Sequence, residues 1–115
     1  MDRSVFQAQR EWVRAELERC TDFWVKNGWD HEHGGVYTCL DRKGKVYSTD
    51  KSVWMQGRCA WTFSYLCGVY GVRQDWLELA KSCLAFMEAH CINRDKGNRM
   101  YFTCLLYTSP SPRDA

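Results

Sequence analysis

A long run with a single charge constrains the fold of this chain more than any other feature. The run, SVWMQGRCAWTFSYLCGVYGV, extends from Ser52 to Val72, and Arg58 is its one charged residue. Apolar side chains fall on nearly every face of a helix drawn through it, so it predicts a buried inner helix rather than a surface helix. A membrane span is the alternative, but Gln56, Arg58 and several hydroxyl groups would be costly in lipid.

The N-terminal segment predicts an amphipathic helix over residues 4–27. Apolar residues recur there at helical spacing, and charged residues occupy the other faces. The apolar positions are Phe6, Val13, Leu17, Cys20 and Trp24. Ser4 is placed to cap the start of this helix, and Gly28 follows its end as a helix-stop glycine would.

Alternating side chains follow, and they predict a β-hairpin. Its strands are expected at Gly35–Leu40 and Lys45–Ser48, joined by the turn sequence DRKG. A third helix is predicted in RQDWLELAKSCLAFMEAH, which begins at Arg73. After the turn NRDKGN, the segment RMYFTC resembles the start of another strand.

This order of elements predicts an all-α fold class with a short β-hairpin between the first two helices. Amphipathic outer helices alternate with a buried inner helix, which is the pattern of helical-hairpin arrays and α/α barrels. A length of 115 residues is enough for one domain.

Composition and charge narrow the function classes. The net charge of +2 comes from well-mixed acids and bases, which gives no reason to expect binding to nucleic acid or to an anionic membrane. The N-terminal residues are charged and lack the apolar stretch of a signal peptide. The seven cysteines are scattered, with no CxxC pair, so we expect reduced and mostly buried thiols in a cytoplasmic protein.

Arg58 is the first candidate for a functional residue. Aromatic residues share its helical face at spacings of three to seven residues. They are Trp54, Trp61 and Tyr65. Rings stack on sugars or on guanidinium groups, and arginine donates paired hydrogen bonds to oxygens, so one interpretation is a polar-ligand pocket with Arg58 at its floor. The other is a buried arginine paired with a core carboxylate such as Asp41 or Asp50.

The sequence HEH, from His31 to His33, raises the question of a metal site. Its position in a turn before two glycines favours a structural role instead, in which Asp30 and His33 hydrogen-bond the local backbone. His90 lies near a predicted helix C-terminus, where partial positive charge is favourable. The sequence has no phosphate loop, G-x-S-x-G, H-E-x-x-H or dinucleotide-binding motif.

Several longer segments resemble one known family in order and without large gaps. They are FW at 23–24, DHEHGG at 30–35, CLDRKGKVY at 39–47, DK at 50–51, VWMQGRCAW at 53–61, RQDWLELA at 73–80 and GNRMYF at 97–102. Over residues 1–103 the chain resembles the N-acylglucosamine 2-epimerase family, and within it the N-acetylglucosamine branch, whose animal members are also called renin-binding proteins. The resemblance implies the N-terminal part of an (α/α)6 barrel.

The resemblance also implies an activity, the inversion of an N-acyl amino sugar at C2. Such enzymes need no metal or redox cofactor, since a general base removes the C2 proton and a second group returns a proton to the opposite face. Arg58 matches the active-site arginine of the family and is the expected catalytic residue here. Trp54 and Gln56 are the expected substrate-binding residues. Members of this branch also respond to adenine nucleotides and form homodimers, so both are expectations for a full-length parent.

The resemblance assigns the two catalytic histidines to helices beyond this chain, and none of His31, His33 or His90 matches them. We interpret residues 104–115 as non-native, because Cys104 to Asp114 equals one translated frame of a common transposase-based sequencing adapter. The alternative is a genuine Ser/Pro-rich tail. We therefore expect an N-terminal fragment, residues 1–103, that is inactive alone and exposes the inner helix face.

Two other functions remain open from the sequence. One is a related epimerase or isomerase that acts on mannose, cellobiose or a sulfosugar. The other is a short non-catalytic protein that binds a partner through its aromatic helices.

Overall fold

The computed structural model describes residues 2–104, which form three long helices and three short strand pairs. The helices are α1 (Arg3–Phe23), α2 (Val53–Tyr70) and α3 (Gln74–His90). The strands are β1 (Cys39–Leu40), β2 (Val46–Ser48), β3 (Lys51–Ser52), β4 (Ile92–Asn93), β5 (Arg99–Met100) and β6 (Thr103–Cys104). All pairs are antiparallel: β1 with β2, β3 with β6, and β4 with β5. The helical class, with a hairpin between the first two helices, is confirmed.

The first helix begins one residue earlier than predicted, and its cap differs. The carboxylate of Asp2, not the hydroxyl of Ser4, caps α1 and accepts a 2.5 Å hydrogen bond from the Ser4 amide. The helix continues through a π-helical turn, Trp24–Gly28. Gly28 is needed at this point because a Cβ there would lie 2.5 Å from the Trp24 ring.

The hairpin is shorter than the alternation predicted. Only Cys39–Leu40 pairs with Val46–Ser48, and Val36 forms an isolated bridge with Trp29 instead of continuing a strand. The reason is a long-range contact, since the backbone of Val36 is hydrogen-bonded by the side chain of Gln56. A side chain from α2 therefore takes the place of a neighbouring strand.

The main core lies between α2 and α3, which are joined by a short turn and form a helical hairpin. Ser52 caps α2 by accepting from the Met55 amide, and Gly71 ends it with a φ of 97°. The apolar residues of this core come from both helices: Cys59, Ala60, Phe63, Leu66 and Cys67 from α2, and Trp76, Leu79, Ala80 and Cys83 from α3. The predicted third helix is thus confirmed, with its apolar stripe against α2.

Within residues 2–104, the opposite side of α2 is uncovered. Trp54, Trp61 and Tyr65 are 67%, 65% and 56% exposed, although the sequence around them is as apolar as the packed side. The expectation that residues 1–103 expose one face of the inner helix is therefore confirmed. No helix within residues 2–104 combines the length and the apolar character needed to cross a membrane.

The cysteines are free thiols, and five of the seven are buried. Cys20 is exposed and Cys39 is half-buried. Cys104 forms part of β6 opposite Lys51. The remainder of the segment interpreted as adapter translation, residues 105–115, lies outside the described residues, and that interpretation stays a prediction.

Candidate functional site

An open groove of about 590 Å³ lies along the uncovered side of α2. Its lining comes from α2, α3 and β5: Val53, Trp54, Gly57, Arg58, Trp61, Met87 and Met100. The five α2 residues recur at positions i, i+1, i+4, i+5 and i+8, which places them on one helical face. The groove is therefore bounded by a ridge of rings with one cation on α2 and by two methionines on the facing elements.

Among the described residues that line the groove, Arg58 is the only charged one. Its guanidinium carbon lies 4.2 Å from the centroid of the Trp54 ring, one helical turn earlier. The side chain is exposed, and within residues 2–104 no carboxylate forms an ion pair with it. Its hydrogen-bond donors are thus free to meet a ligand. The alternative of a buried arginine paired with Asp41 or Asp50 does not occur in the structure.

The aromatic ridge continues beyond Arg58. Trp61 and Tyr65 stack with their ring centroids 5.0 Å apart and an angle of 11° between the planes. Both rings are more than half exposed. The sequence-based placement of Trp54, Arg58, Trp61 and Tyr65 on one face is therefore confirmed. Of the four, all but Tyr65 line the groove.

Gln56 lies on the opposite side of α2 and does not line the groove. Its side chain is fully buried. Its Oε1 accepts from the Val36 amide at 2.8 Å, and its Nε2 donates to the Val36 carbonyl at 2.7 Å. Both polar ends of the amide are used by one backbone residue. In this structure Gln56 holds the loop that follows α1, and substrate contact by Gln56 is not part of the function proposed below.

Beneath this loop lies a buried ion pair that the sequence did not predict. Lys51 Nζ lies 2.5 Å from Asp30 Oδ2, and both side chains are fully buried. Lys51 also donates to the Gly34 carbonyl at 2.8 Å and lies 4.5 Å from the centroid of the Phe86 ring. The pair connects the turn that contains Gly34 to β3. Lys51 lies one residue before Ser52, the cap of α2. Asp30 belongs to the DHEHGG segment and Lys51 to the DK segment. The presence of both segments in the sequence was the feature that could have indicated this ion pair.

Asp30 combines the ion pair with a local turn. Its Oδ1 accepts from the amides of Glu32 and His33, at 2.9 and 3.0 Å. Burial by itself would raise the pKa of Asp30, but the hydrogen bonds from Lys51 and from these two amides outweigh it, so that the pKa is lowered from its usual value. The predicted structural role of Asp30 at the hairpin entry is confirmed.

The three histidines are not brought to the groove. His31 stacks on Trp29 with a 4.6 Å centroid separation, and His33 Nδ1 lies 3.8 Å from Asp30 Oδ2. His90 is the last residue of α3 and lies against Phe86. In the described part of the chain, no three His, Cys, Asp or Glu side chains are grouped to hold a metal ion.

This arrangement suits the binding of a small polar molecule with ring-stacking faces. The groove offers guanidinium donors, two indole faces and apolar side chains, and its described lining contains no carboxylate or imidazole. A site with these groups can stack on a sugar and stabilise negative charge on an oxygen. Proton transfer needs a further group.

Comparison with solved structures gives the class of protein. The chain superposes on a crystal structure of a sugar epimerase from a ruminal bacterium with a TM-score of 0.66 and 27% sequence identity. The match covers 79% of this chain and 23% of that protein. The fold is thus that of the sugar epimerases, a class of isomerases.

Comparison with protein families gives the particular family. The sequence model for N-acylglucosamine 2-epimerase (GlcNAc 2-epimerase) matches residues 34–113. The human N-acylglucosamine 2-epimerase is 46% identical over 65 residues, which cover 56% of this chain and 15% of the human protein. The rat N-acylglucosamine 2-epimerase is 33% identical over 106 residues, covering 88% of this chain and 25% of the rat protein. The chain belongs to the N-acylglucosamine 2-epimerase family, and it spans about a quarter or less of the relatives that it matches.

Proposed function

We propose that residues 1–103 are the N-terminal part of an enzyme that interconverts N-acetylglucosamine and N-acetylmannosamine. In the open-chain sugar, C1 is a carbonyl and the hydrogen on C2 is acidic. A base removes this proton, an enolate-like intermediate forms, and an acid returns a proton to the other face of C2. The relatives named above are called N-acylglucosamine 2-epimerases, which supports this reaction.

The observation that carries the proposal is the free charge of Arg58 in the groove. Negative charge develops on the C1 oxygen when the C2 proton leaves, and a preorganised cation beside that oxygen lowers the barrier. Arg58 is held over Trp54 at 4.2 Å, and its donors are not used by a carboxylate in the described structure. We assign Arg58 as the catalytic residue that stabilises this oxyanion, and Trp54 as a wall of the substrate site.

The acid and the base of the proposed reaction come from outside residues 2–104. None of the three histidines lines the groove, and the chain covers only 15–25% of its relatives. The 115-residue chain by itself is therefore expected to show no exchange at C2. No metal or redox cofactor takes part in the proposed reaction, and adenine nucleotides and a homodimer are proposed only for the longer parent.

The experiment begins with the source DNA across codon 103. If the reading frame continues into further helices, the whole product is expressed and incubated with N-acetylglucosamine in D2O. Proton NMR then follows deuterium incorporation at C2 together with the appearance of N-acetylmannosamine. We expect both signals, and we expect Arg58→Ala to lower kcat by about 100- to 1000-fold, as the loss of one oxyanion donor does in other enzymes.

A matched control is Arg42→Ala, which removes an exposed arginine from the hairpin turn and should leave kcat unchanged. Arg58→Lys keeps the positive charge but lacks the planar guanidinium with its paired hydrogen-bond donors, and it should recover part of the activity. Full activity of Arg58→Ala would contradict the proposed role of Arg58. Exchange by the 115-residue chain itself would contradict the proposal that the acid and the base come from outside residues 2–104.

The same assay separates the related sugars. Mannose, cellobiose and a sulfosugar are offered in turn, and preferred turnover of one of them would replace N-acetylglucosamine in the proposal.

The exposed rings of α2 favour a binding protein as a second candidate. That candidate is selected if the source DNA itself encodes residues 104–115 followed by a stop codon.

A further inference from the structure

The far wall of the groove has no role in the chemistry described so far. Met87 from α3 and Met100 from β5 line the groove together with five residues of α2: Val53, Trp54, Gly57, Arg58 and Trp61. A plain hexose carries polar hydroxyl groups around its ring and would leave this apolar wall without a suitable partner. An N-acyl sugar carries an alkyl group on the C2 nitrogen, which is apolar.

We propose that Gly57, Met87 and Met100 form the subsite for the acyl group and that Gly57 sets the size of acyl group that fits. This inference rests on the proposed function, because it takes Arg58 as the group beside the C1 oxygen. C2 is bonded directly to C1, so the substituent on C2 lies beside the residue that faces C1. Gly57 is the immediate neighbour of Arg58 in the lining.

Gly57 leaves room for this group. A Cβ built on Gly57 would meet only one atom within 4 Å, the Cε methyl of Met87 at 3.7 Å. The space above the Gly57 backbone is thus bordered by a thioether methyl, which is polarizable and adapts to the shape of an alkyl group. Met100 is half exposed at the outer edge of the groove. The acyl group would lie over Gly57, with Met87 on one side and Met100 toward solvent.

The stability cost of a glycine at position 57 indicates a role in binding rather than in folding. Glycine in a helix interior costs about 0.5–1 kcal/mol relative to alanine, so α2 would be more stable with alanine here. Gly68 offers a matched comparison, since it also lies within α2 but a Cβ there would meet nothing within 4 Å. Gly68 does not line the groove.

The test follows ligand binding by NMR on the whole product of the source reading frame, the same protein that is used in the exchange assay. Methionines carry a ¹³C label on the ε-methyl group, and tryptophans carry ¹⁵N on the indole. This protein is titrated with N-acetylmannosamine and, separately, with mannose. We expect the indole signals of Trp54 and Trp61 to respond to both sugars, and the methyl signals of Met87 and Met100 to respond to N-acetylmannosamine only. Met55 does not line the groove but a neighbouring cavity between α1 and α2, which shares only Arg58 with the described lining of the groove, and its methyl signal should not respond.

The outcomes distinguish the two proposals. Indole responses to both sugars without a response of Met87 or Met100 would overturn the acyl subsite and leave the proposed function standing. A response of Met55 in place of Met87 would also overturn the subsite, because the sugar would then bind in the other cavity. If neither the indole nor the methionine signals respond, the proposed function fails, and the subsite fails with it.

A second measurement uses the two glycine variants. Gly57→Ala should weaken binding of N-acetylmannosamine by about tenfold, the effect expected for one methyl group in an apolar pocket. The loss should be larger for the N-propanoyl sugar and absent for mannose. Gly68→Ala should bind all three sugars as the unsubstituted chain does. Equal affinities of the Gly57→Ala and Gly68→Ala variants for both N-acyl sugars would refute the role of Gly57 as the size-setting residue.

Discussion

The two sides of α2 are similarly apolar in sequence, but one side is packed and the other is exposed. On one side, Gln56 is fully buried, its amide is satisfied by Val36, and the helix packs against α3. On the other side, Trp54 and Trp61 are about two-thirds exposed, and among residues 2–104 the partner of Arg58 is an aromatic ring, that of Trp54. The packed side is a scaffold with its polar groups satisfied. The open side carries a charge and ring faces that remain available to a ligand.

This difference distinguishes the residues that stabilise the fold from the residues that are available to bind a ligand. Buried groups that lose a partner are expensive, whereas exposed rings and charges contribute little to the free energy of unfolding. Substitutions on the packed side should therefore unfold the protein, and substitutions on the open side should change binding at nearly constant stability. The four predictions below test this division, in order of decreasing effect.

The largest effect is expected from Lys51→Met, because it leaves the Asp30 carboxylate buried without its cation. Breaking a buried ion pair from one side costs about 3–5 kcal/mol of unfolding free energy. Urea denaturation followed by tryptophan fluorescence measures the change. The control is Lys81→Met, which removes an exposed partner of Glu78 at 3.7 Å and should change stability by less than about 0.5 kcal/mol. Similar losses in the two variants would contradict the special status of the buried pair.

A somewhat smaller effect is expected from Gly35→Ala, about 3 kcal/mol. Gly35 has a φ of 76°, and a Cβ there would lie 2.6 Å from Gln56 Oε1. The left-handed backbone and the close contact both oppose a side chain, each at about 1–2 kcal/mol. Gly71→Ala shares the first cost only, because φ is 97° and no atom lies within 4 Å. If the two variants lose equal stability, the loop is not packed against Gln56 as described.

The pH dependence of stability is the third test, and it should be weaker because Lys51 remains in place. The pKa of Asp30 is lower in the folded chain than the value of about 3.9 expected when unfolded. Its contribution is therefore fully present above about pH 4 and is lost as the pH falls through the folded value. The double variant Asp30→Asn/Lys51→Met should show a shallower loss of stability in acid. An unchanged acid slope would argue that Asp30 does not contribute.

The smallest effect is expected from Trp61→Ala on the open side of α2. Its ring is 65% exposed, so the free energy of unfolding should change by less than about 0.5 kcal/mol. The matched variant Trp76→Ala removes the same side chain from the core, where it is 3% exposed, and should cost about 3–5 kcal/mol. Thermal and urea denaturation compare the two. A large loss in Trp61→Ala would show that the open side also supports the fold.

Much of the candidate site could be predicted from local spacing. Trp54, Arg58, Trp61 and Tyr65 recur at intervals that place them on one face of any helix, whatever surrounds it. Gln56 could not be assigned in the same way. It lies two residues from Arg58 in a helix that is apolar all round, so the local pattern carries no signal of which side faces the core. Its partner, Val36, is 20 residues away in the chain.

The sequence alone determined the three helices, the hairpin, the shared face of Arg58 and the rings, and the resemblance to the epimerase family. These follow from periodicity, turn residues and ordered motifs, which depend on near neighbours in the chain. Only the tertiary structure decided which side of α2 is packed, that Gln56 supports a loop, and that Lys51 is buried against Asp30, 21 positions earlier in the chain. Such contacts depend on how the elements meet in space, because burial and pairing are properties of the packed whole rather than of any segment.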